Sequence, residues 1–355
     1  MKLVLKASFI VLLIISFSIS AHAQENLLNE LYSKGVKLYQ QGRYAEAVKV
    51  TEEALTVAEK SLGPEHPDVA TFMNNLAAFY KAQGRYAQAE PLFERSLRIR
   101  EKSLGPEHPA VAQSLNNLAA LYRDQGRYAQ AEPLCNRALS IVEKSLGPEH
   151  PYVATCLNNL AGLYRDQGRY AQAEPLFERS LRIREKALGL EHPDVADSLN
   201  NLADLYYAQG KYADAETLYE RSLRIREKAL GLEHPAVAVC LNNLATLYKA
   251  QGRYAQAEPL FERSLRIREK SLGPEHPDVG QSLNNLAEFY YTQGKYADAE
   301  PLYNRALSIA EKSLGPEHHH VATVSENMAI LYRQIGKEDV AEKLEVRARK
   351  IRSKR

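Results

Sequence analysis

The chain has 355 residues, of which 46 are basic and 44 acidic, with three cysteines and no tryptophan. So even a charge balance argues against a nucleic-acid binder, whose footprint is a basic face. Three cysteines are too few and too scattered for a disulfide framework. The length would suggest about two globular domains, but a fixed interval overrides that expectation. Leu-Gly recurs at Leu62, Leu104, Leu146, Leu188, Leu230, Leu272 and Leu314, always 42 residues apart. A period between about 20 and 50 residues means stacked supersecondary units that share one core.

Residues 1–23 have the layout of a secretory signal. Lys2 and Lys6 precede an uncharged apolar run from Ala7 to Ile19, and Ala21-His22-Ala23 offers small residues before Gln24. The run is short of the ~20 residues that a spanning helix needs; an uncleaved anchor is the alternative. No cysteine follows it, so nothing indicates a lipid attachment. Removing its two lysines leaves 44 basic residues against 44 acidic ones, a neutral mature chain expected in the periplasm or outside the cell.

Residues 108–147 serve as the type unit. His108-Pro109 opens a helix, since proline suits the first helical position. In the copies at 66–68, 192–194 and 276–278 an aspartate follows the proline, at the positive helix end. Val111, Leu115, Leu118, Ala119, Leu121 and Tyr122 form a helical stripe, and Gly126 caps it. A second helix from about Tyr128 to Leu146 carries Tyr128, Ala131, Leu134, Cys135, Ala138, Leu139, Ile141 and Val142 on its apolar side, with Gly147 and Pro148 as the stop. Pro133, like Pro91, Pro175, Pro259 and Pro301, falls early in this helix, where it removes at most about one bond. Ala119 and Ala131 are the small residues that let the two helices approach. Glu178, Arg179, Arg182, Arg184, Glu185 and Lys186 read as a solvated outer face, with Glu178 and Arg182 a supporting pair. Cys135 and Cys156, on consecutive helices, are expected as small core residues, with a bridge as the alternative; Cys240 is the third cysteine.

The string L-A-x-L-Y-x-x-Q-G-x-Y-x-x-A, from Leu118 to Ala131, resembles the tetratricopeptide repeat. The longer period and the L-G-P-E-H-P linker are similar to its kinesin-light-chain subtype. The resemblance covers nearly all of residues 27–352 and implies an all-α solenoid, a right-handed superhelix of antiparallel helix pairs at 27–62, 67–104, 109–146, 151–188, 193–230, 235–272, 277–314 and 319–352. No N-terminal heptad segment accompanies it, so it implies fold and binding mode, not motor transport. HEAT and armadillo solenoids share the period but lack the Gly-x-Tyr-x-x-Ala turn. The first and last copies depart from the pattern, with Gly35-Val36 and Glu326-Asn327-Met328 replacing the common residues, as capping units do. The basic end, Arg347, Arg349, Lys350, Arg352, Lys354 and Arg355, reads as a solvated last helix.

Nothing in the sequence converges on catalysis. There is no phosphate-cradling glycine loop and no metal-spaced Cys/His set, so no enzyme activity, cofactor or metal is expected. His66, His108, His150, His192, His234, His276 and His318 recur too far apart to share one ion and read as helix-entry residues. His318-His319-His320 is the one local cluster. The resemblance instead implies a groove, lined by the first helices, that holds an extended protein segment. The second asparagine of each pair, Asn75, Asn117, Asn159, Asn201, Asn243 and Asn285, matches the family's groove residue, and an amide both donates to and accepts from a peptide backbone. The alternative is that these amides bond neighbouring helices. On the same face, Ala78, Ala120, Gly162, Asp204, Thr246 and Glu288 vary, as do Lys81, Arg123, Arg165, Tyr207, Lys249 and Tyr291. These variable positions predict a groove basic toward Lys81, Arg123 and Arg165, suited to an acidic or C-terminal-carboxylate peptide, and acidic and aromatic at its other end. The expected role is a non-catalytic, exported protein-binding scaffold whose partner is a protein or peptide. The alternative is an accessory to an envelope assembly or secretion complex that docks by its outer surface.

Overall fold

The computed structural model describes Gln24 and residues 26–353; residues 1–23, expected as a secretory signal, and the last two basic residues, Lys354 and Arg355, lie outside the described residues. The described secondary structure is helical throughout, and no described helix is long and apolar enough to cross a membrane. The chain divides into two compact units, Met1–Pro106 and Glu107–Arg355.

The first unit holds α1 (26–40), α2 (Tyr44–Leu62), α3 (Pro67–Ala82) and α4 (Tyr86–Leu104). Its core is Ala47, Ala54 and Ala58 of α2, Val69, Met73 and Ala77 of α3, and Ala89 and Phe93 of α4, all at most 1% exposed. Tyr39 stacks on Phe79 with ring centroids 4.7 Å apart.

The second unit repeats one pair six times. The pairs are α5 (Pro109–Asp124) with α6 (Tyr128–Leu146), α7 (Pro151–Asp166) with α8 (Tyr170–Leu188), α9 (Pro193–Ala208) with α10 (Tyr212–Leu230), α11 (Pro235–Ala250) with α12 (Tyr254–Leu272), α13 (Pro277–Thr292) with α14 (Tyr296–Leu314), and α15 (His319–Gln334) with α16 (Glu338–Arg352). Each second helix packs on its own first helix and, α16 excepted, on the first helix of the next pair. First helices also touch one another, as α5 on α7, α7 on α9 and α13 on α15 do. They therefore share one side of the stack.

Local chemistry sets the helix ends. His108 has extended backbone, and its Nδ1 accepts from the Ala110 N–H at 3.1 Å, which supplies a partner to one of the orphan donors of the first turn. His150, His192, His234, His276 and His318 cap their helices the same way. At the other end Gly126 has φ +72°, and the Arg127 N–H reaches back to the Tyr122 carbonyl at 2.8 Å, a left-handed closure that only glycine enters without strain.

Packing between pairs depends on small residues and on a recurrent clamp. Ala119 and Ala131 are 2% and 0% exposed on the facing sides of α5 and α6. Between pairs, the Tyr164 hydroxyl donates to Glu132 at 2.9 Å, Arg169 donates to the same carboxylate at 2.7 Å, and the Arg169 guanidinium lies 4.1 Å above the Tyr164 ring. Tyr248, Glu216 and Arg253 repeat the arrangement. Cys135, Cys156 and Cys240 are buried free thiols; no bridge joins the first two, and burial pushes them up to about 12 and about 11.

The outer face is only partly solvated. Arg179, Arg221, Arg263, Arg305 and Arg347 pair with glutamates of the preceding second helix, at 2.5–2.8 Å. Arg184 does not belong to that face at all. It is 8% exposed and points into the seam between α8 and α9. Its charged sequence neighbours hide this, because the acceptors that hold it come from other helices.

Candidate functional site

The shared side of the first helices is the candidate site, and the asparagine pair divides its work there. The first asparagine is buried and structural. Asn116 Nδ2 donates to Cys156 Sγ at 3.2 Å, Asn158 Nδ2 to Ser198 Oγ at 3.3 Å, and Asn200 Nδ2 to Cys240 Sγ at 3.5 Å. Each bond ties one first helix to the next.

The second asparagine is half-buried and faces outward. Asn159, Asn201 and Asn243 make no side-chain hydrogen bond among the described residues. Asn117 and Asn159 together line a cleft of about 440 Å³ between α5 and α7, with Gln113, Tyr152 and Thr155. Asn285 differs, because its Nδ2 donates to Asn242 Oδ1 at 3.0 Å, the neighbour-bonding role weighed against the groove role. In the first unit the Asn75 Nδ2 is buried and has no acceptor.

The charges on this face are paired, which corrects the expectation of a basic end. Arg123 Nε donates to Asp166 Oδ2 at 2.5 Å. Its guanidinium crosses α7 over Gly162, where a Cβ would stand 2.9 Å from Nη1. Arg165 reaches Asp166 and, at 3.2 Å, Asp204, which also accepts from the Tyr219 hydroxyl at 2.5 Å. Burial pushes the Asp204 carboxyl up, against the pull of Tyr219 and Arg165, and it pushes the Tyr219 hydroxyl up as well. Lys249 bonds Glu288 at 2.7 Å. Arg123 and Arg165 thus both face carboxylate groups, those of Asp166 and Asp204. Tyr207 and Tyr291 each lean on the tyrosine that opens the following helix, Tyr212 and Tyr296, with centroids 5.7 and 5.6 Å apart. Lys81 stands half-buried in the first unit, where it also has a partner.

Sequence reasoning missed Asp166 as a partner because it reads one unit at a time. The signal was present as opposite charges one period apart, give or take a helix turn: Arg123 and Asp166, Arg165 and Asp204, Lys249 and Glu288.

Stacked antiparallel helix pairs with one polar inner side define an α-helical repeat solenoid. The sequence profile of the tetratricopeptide repeat matches residues 30–78, 68–134, 111–186, 157–228, 194–270, 241–312 and 278–354. The chain belongs to the tetratricopeptide repeat family. Among solved structures it is similar to a Podosopora anserina protein described as kinesin light chain with nearly identical TPR-like repeats, at 32% identity over 58% of this chain and 98% of that one, with a TM-score of 0.47. It is also similar to BtubC (BKLC) from P. vanneervenii, at 27% identity over 66% and 92% of the two chains and a TM-score of 0.51. A Rap protein complexed with Competence and Sporulation Factor shares the fold, at 15% identity, 94% and 98% coverage and a TM-score of 0.60. No curated protein sequence matches the chain.

Proposed function

We propose that this chain is a non-catalytic scaffold that holds an extended protein segment along the first helices of residues 107–355. One observation carries the reading: neighbouring asparagines of the same helix have opposite fates. Asn158 is buried and bonded to Ser198, while Asn159 beside it lines an open cleft with its amide uncommitted. An amide kept at a cleft wall without a partner suits a ligand backbone, to which it can both donate and accept. Asn201 and Asn243 continue the row at one-period intervals.

The acidic-ligand expectation is dropped, since Arg123 and Arg165 are matched by Asp166 and Asp204. Recognition then rests on backbone contacts and shape, a mode that tolerates several sequences. The export expectation stands as part of the proposal, supported by the signal-like layout of residues 1–23. Fractionation of cells that make the full chain, with the mass of the recovered protein, tests it; recovery of uncleaved protein in the cytoplasm would refute it.

A displayed library of random peptides, selected against residues 24–355, supplies the probe for the groove. Asn159→Ala, Asn201→Ala and Asn243→Ala combined should weaken the selected peptides at least tenfold while leaving the thermal midpoint in place. Undiminished binding would reject the groove and favour docking through the outer surface.

A further inference from the structure

Three seams of the second unit hold a buried arginine. Arg184, between α8 and α9, donates to the Asp194 carbonyl at 2.8 Å, to Ser198 Oγ at 3.1 Å and to Thr155 Oγ1 at 3.4 Å. Ser180, one turn away, donates to the Ala154 carbonyl at 2.9 Å. Arg226 donates to the Ala236 carbonyl and Cys240, and Arg268 to the Asp278 carbonyl and Ser282. In the seam between α6 and α7 the same position is Val142, itself fully buried.

The last seam, between α14 and α15, has neither filling. Three periods on from Ala154, Ser180 and Arg184 stand Gly280, Ala306 and Ala310. All three are smaller, and a cavity of about 250 Å³ opens against them. Its other walls include Gln281, His320 and Val324, which are the register equivalents of Thr155, Asp194 and Ser198. The cavity therefore keeps the register of the seam that seats Arg184, with His320, Thr323, Val324 and Gln281 standing where Asp194, Asp197, Ser198 and Thr155 stand there. The backbone of His320 holds the position of the Asp194 carbonyl, and the exposed Gln281 contributes a side-chain amide. Val324 in place of serine adds apolar surface for a methylene stem. A volume of about 250 Å³ is enough for a guanidinium on its stem.

We propose that this cavity binds an arginine side chain supplied by another molecule, seated as Arg184, Arg226 and Arg268 are seated within the chain. A planar guanidinium donates in several directions at once and is weakly hydrated for a cation, so it enters such a seam with less desolvation cost than an ammonium would. The other seams hold theirs on carbonyl, hydroxyl and thiol acceptors, and Arg226 also on the Asp197 carboxylate. The inference goes beyond the groove reading and does not depend on it, because the seam itself defines the ligand group.

The test uses N-acetyl-arginine amide as probe, its citrulline counterpart as a neutral control of the same shape, and calorimetric titration of the full chain. The wild type should bind the arginine probe saturably and the citrulline probe at least tenfold more weakly. Ala310→Arg should fill the cavity from within, keep or raise the thermal midpoint and lose the arginine probe by at least tenfold. Ala310→Val, which copies the seam between α6 and α7, should lose it as well. Equal binding of both probes, absence of saturable binding, or affinity within twofold of wild type in a folded Ala310→Arg or Ala310→Val chain would overturn the proposal.

Discussion

The guanidinium of Arg184 donates to the hydroxyl of Ser198 at 3.1 Å, and that hydroxyl ties three helices together at one buried point. Asn158 of α7 donates to it at 3.3 Å, and Ser180 of α8 lies 3.4 Å away. One hydroxyl has one proton and two lone pairs, so these three contacts can satisfy it fully. Cys240 occupies the same node for Asn200, Ser222 and Arg226. Between α6 and α7 the serine and the arginine give way together to Ala138 and Val142, and Cys156 holds the node. A buried donor or acceptor left without a partner is costly, which is why the serine and the arginine change together.

That relationship predicts a non-additive pair of variants. Arg184→Val alone removes a donor from Ser198 and from the Asp194 carbonyl and should cost about 1–3 kcal/mol. Ser180→Ala, Arg184→Val and Ser198→Cys together copy the seam between α6 and α7 and should recover most of that loss. Urea unfolding followed by circular dichroism, with amide-exchange protection of α8 and α9, measures both. A triple variant no more stable than the single one would contradict the node.

Arg184 also shows where sequence reading stops. Pro109 and Gly126 are legible because each acts through its own backbone: one lacks an N–H, the other enters positive φ. The stripe from Val111 to Tyr122 is legible because helical period is local, and the family string from Leu118 to Ala131 adds the stacking. Arg184 sits among Glu178, Arg179, Arg182 and Lys186, so its own helix says solvent; its acceptors lie in α7 and α9. Arg123 reads as a free cation for the same reason, its carboxylate being 43 residues on. Of the candidate groove, the face and the outward second asparagine were legible, while the bonded first asparagine and the charge pairing needed the neighbouring repeat. Comparison of the copies column by column exposes the concerted change of Ser180 with Arg184, and offset by a turn it exposes the pairs Arg165–Asp204 and Lys249–Glu288.

Close approach within a pair predicts a sharp contrast between adjacent positions. Ala131 is 0% exposed against α5, and Gln130 beside it is exposed. Ala131→Leu forces extra methylenes into a filled seam and should cost about 1–3 kcal/mol. Gln130→Leu should stay within about 0.5 kcal/mol of wild type, as surface substitutions do. Thermal unfolding of the two variants, run side by side, decides the matter, and equal losses would mean that α5 and α6 are not seated on this residue.

The clamps between pairs predict how stability responds to acid. Hydrogen bonds from Arg169, Arg253 and Lys337, more than any other cause, hold Glu132, Glu216 and Glu300 below the ordinary carboxylate value of 4.5. The donors stand 2.7, 2.6 and 3.0 Å from their carboxylates. A carboxylate with a lowered folded pKa binds fewer protons folded than unfolded, so its contribution is present above the unfolded value and lost as pH falls through the folded one. Stability from these clamps should therefore be level from about pH 7 to about pH 5.5 and decline below about pH 4.5. Each pair is exposed enough for solvent to screen it, so each contributes little alone and the three are tested together. Glu132→Gln, Glu216→Gln and Glu300→Gln combined should lower the urea midpoint at neutral pH and flatten its decline between about pH 5 and pH 3. The tyrosine hydroxyls of Tyr164 and Tyr248 still find an acceptor in the amide oxygen, so the loss reports the charge and not the packing. An unchanged slope in the triple variant would show that other carboxylates govern acid unfolding of this chain.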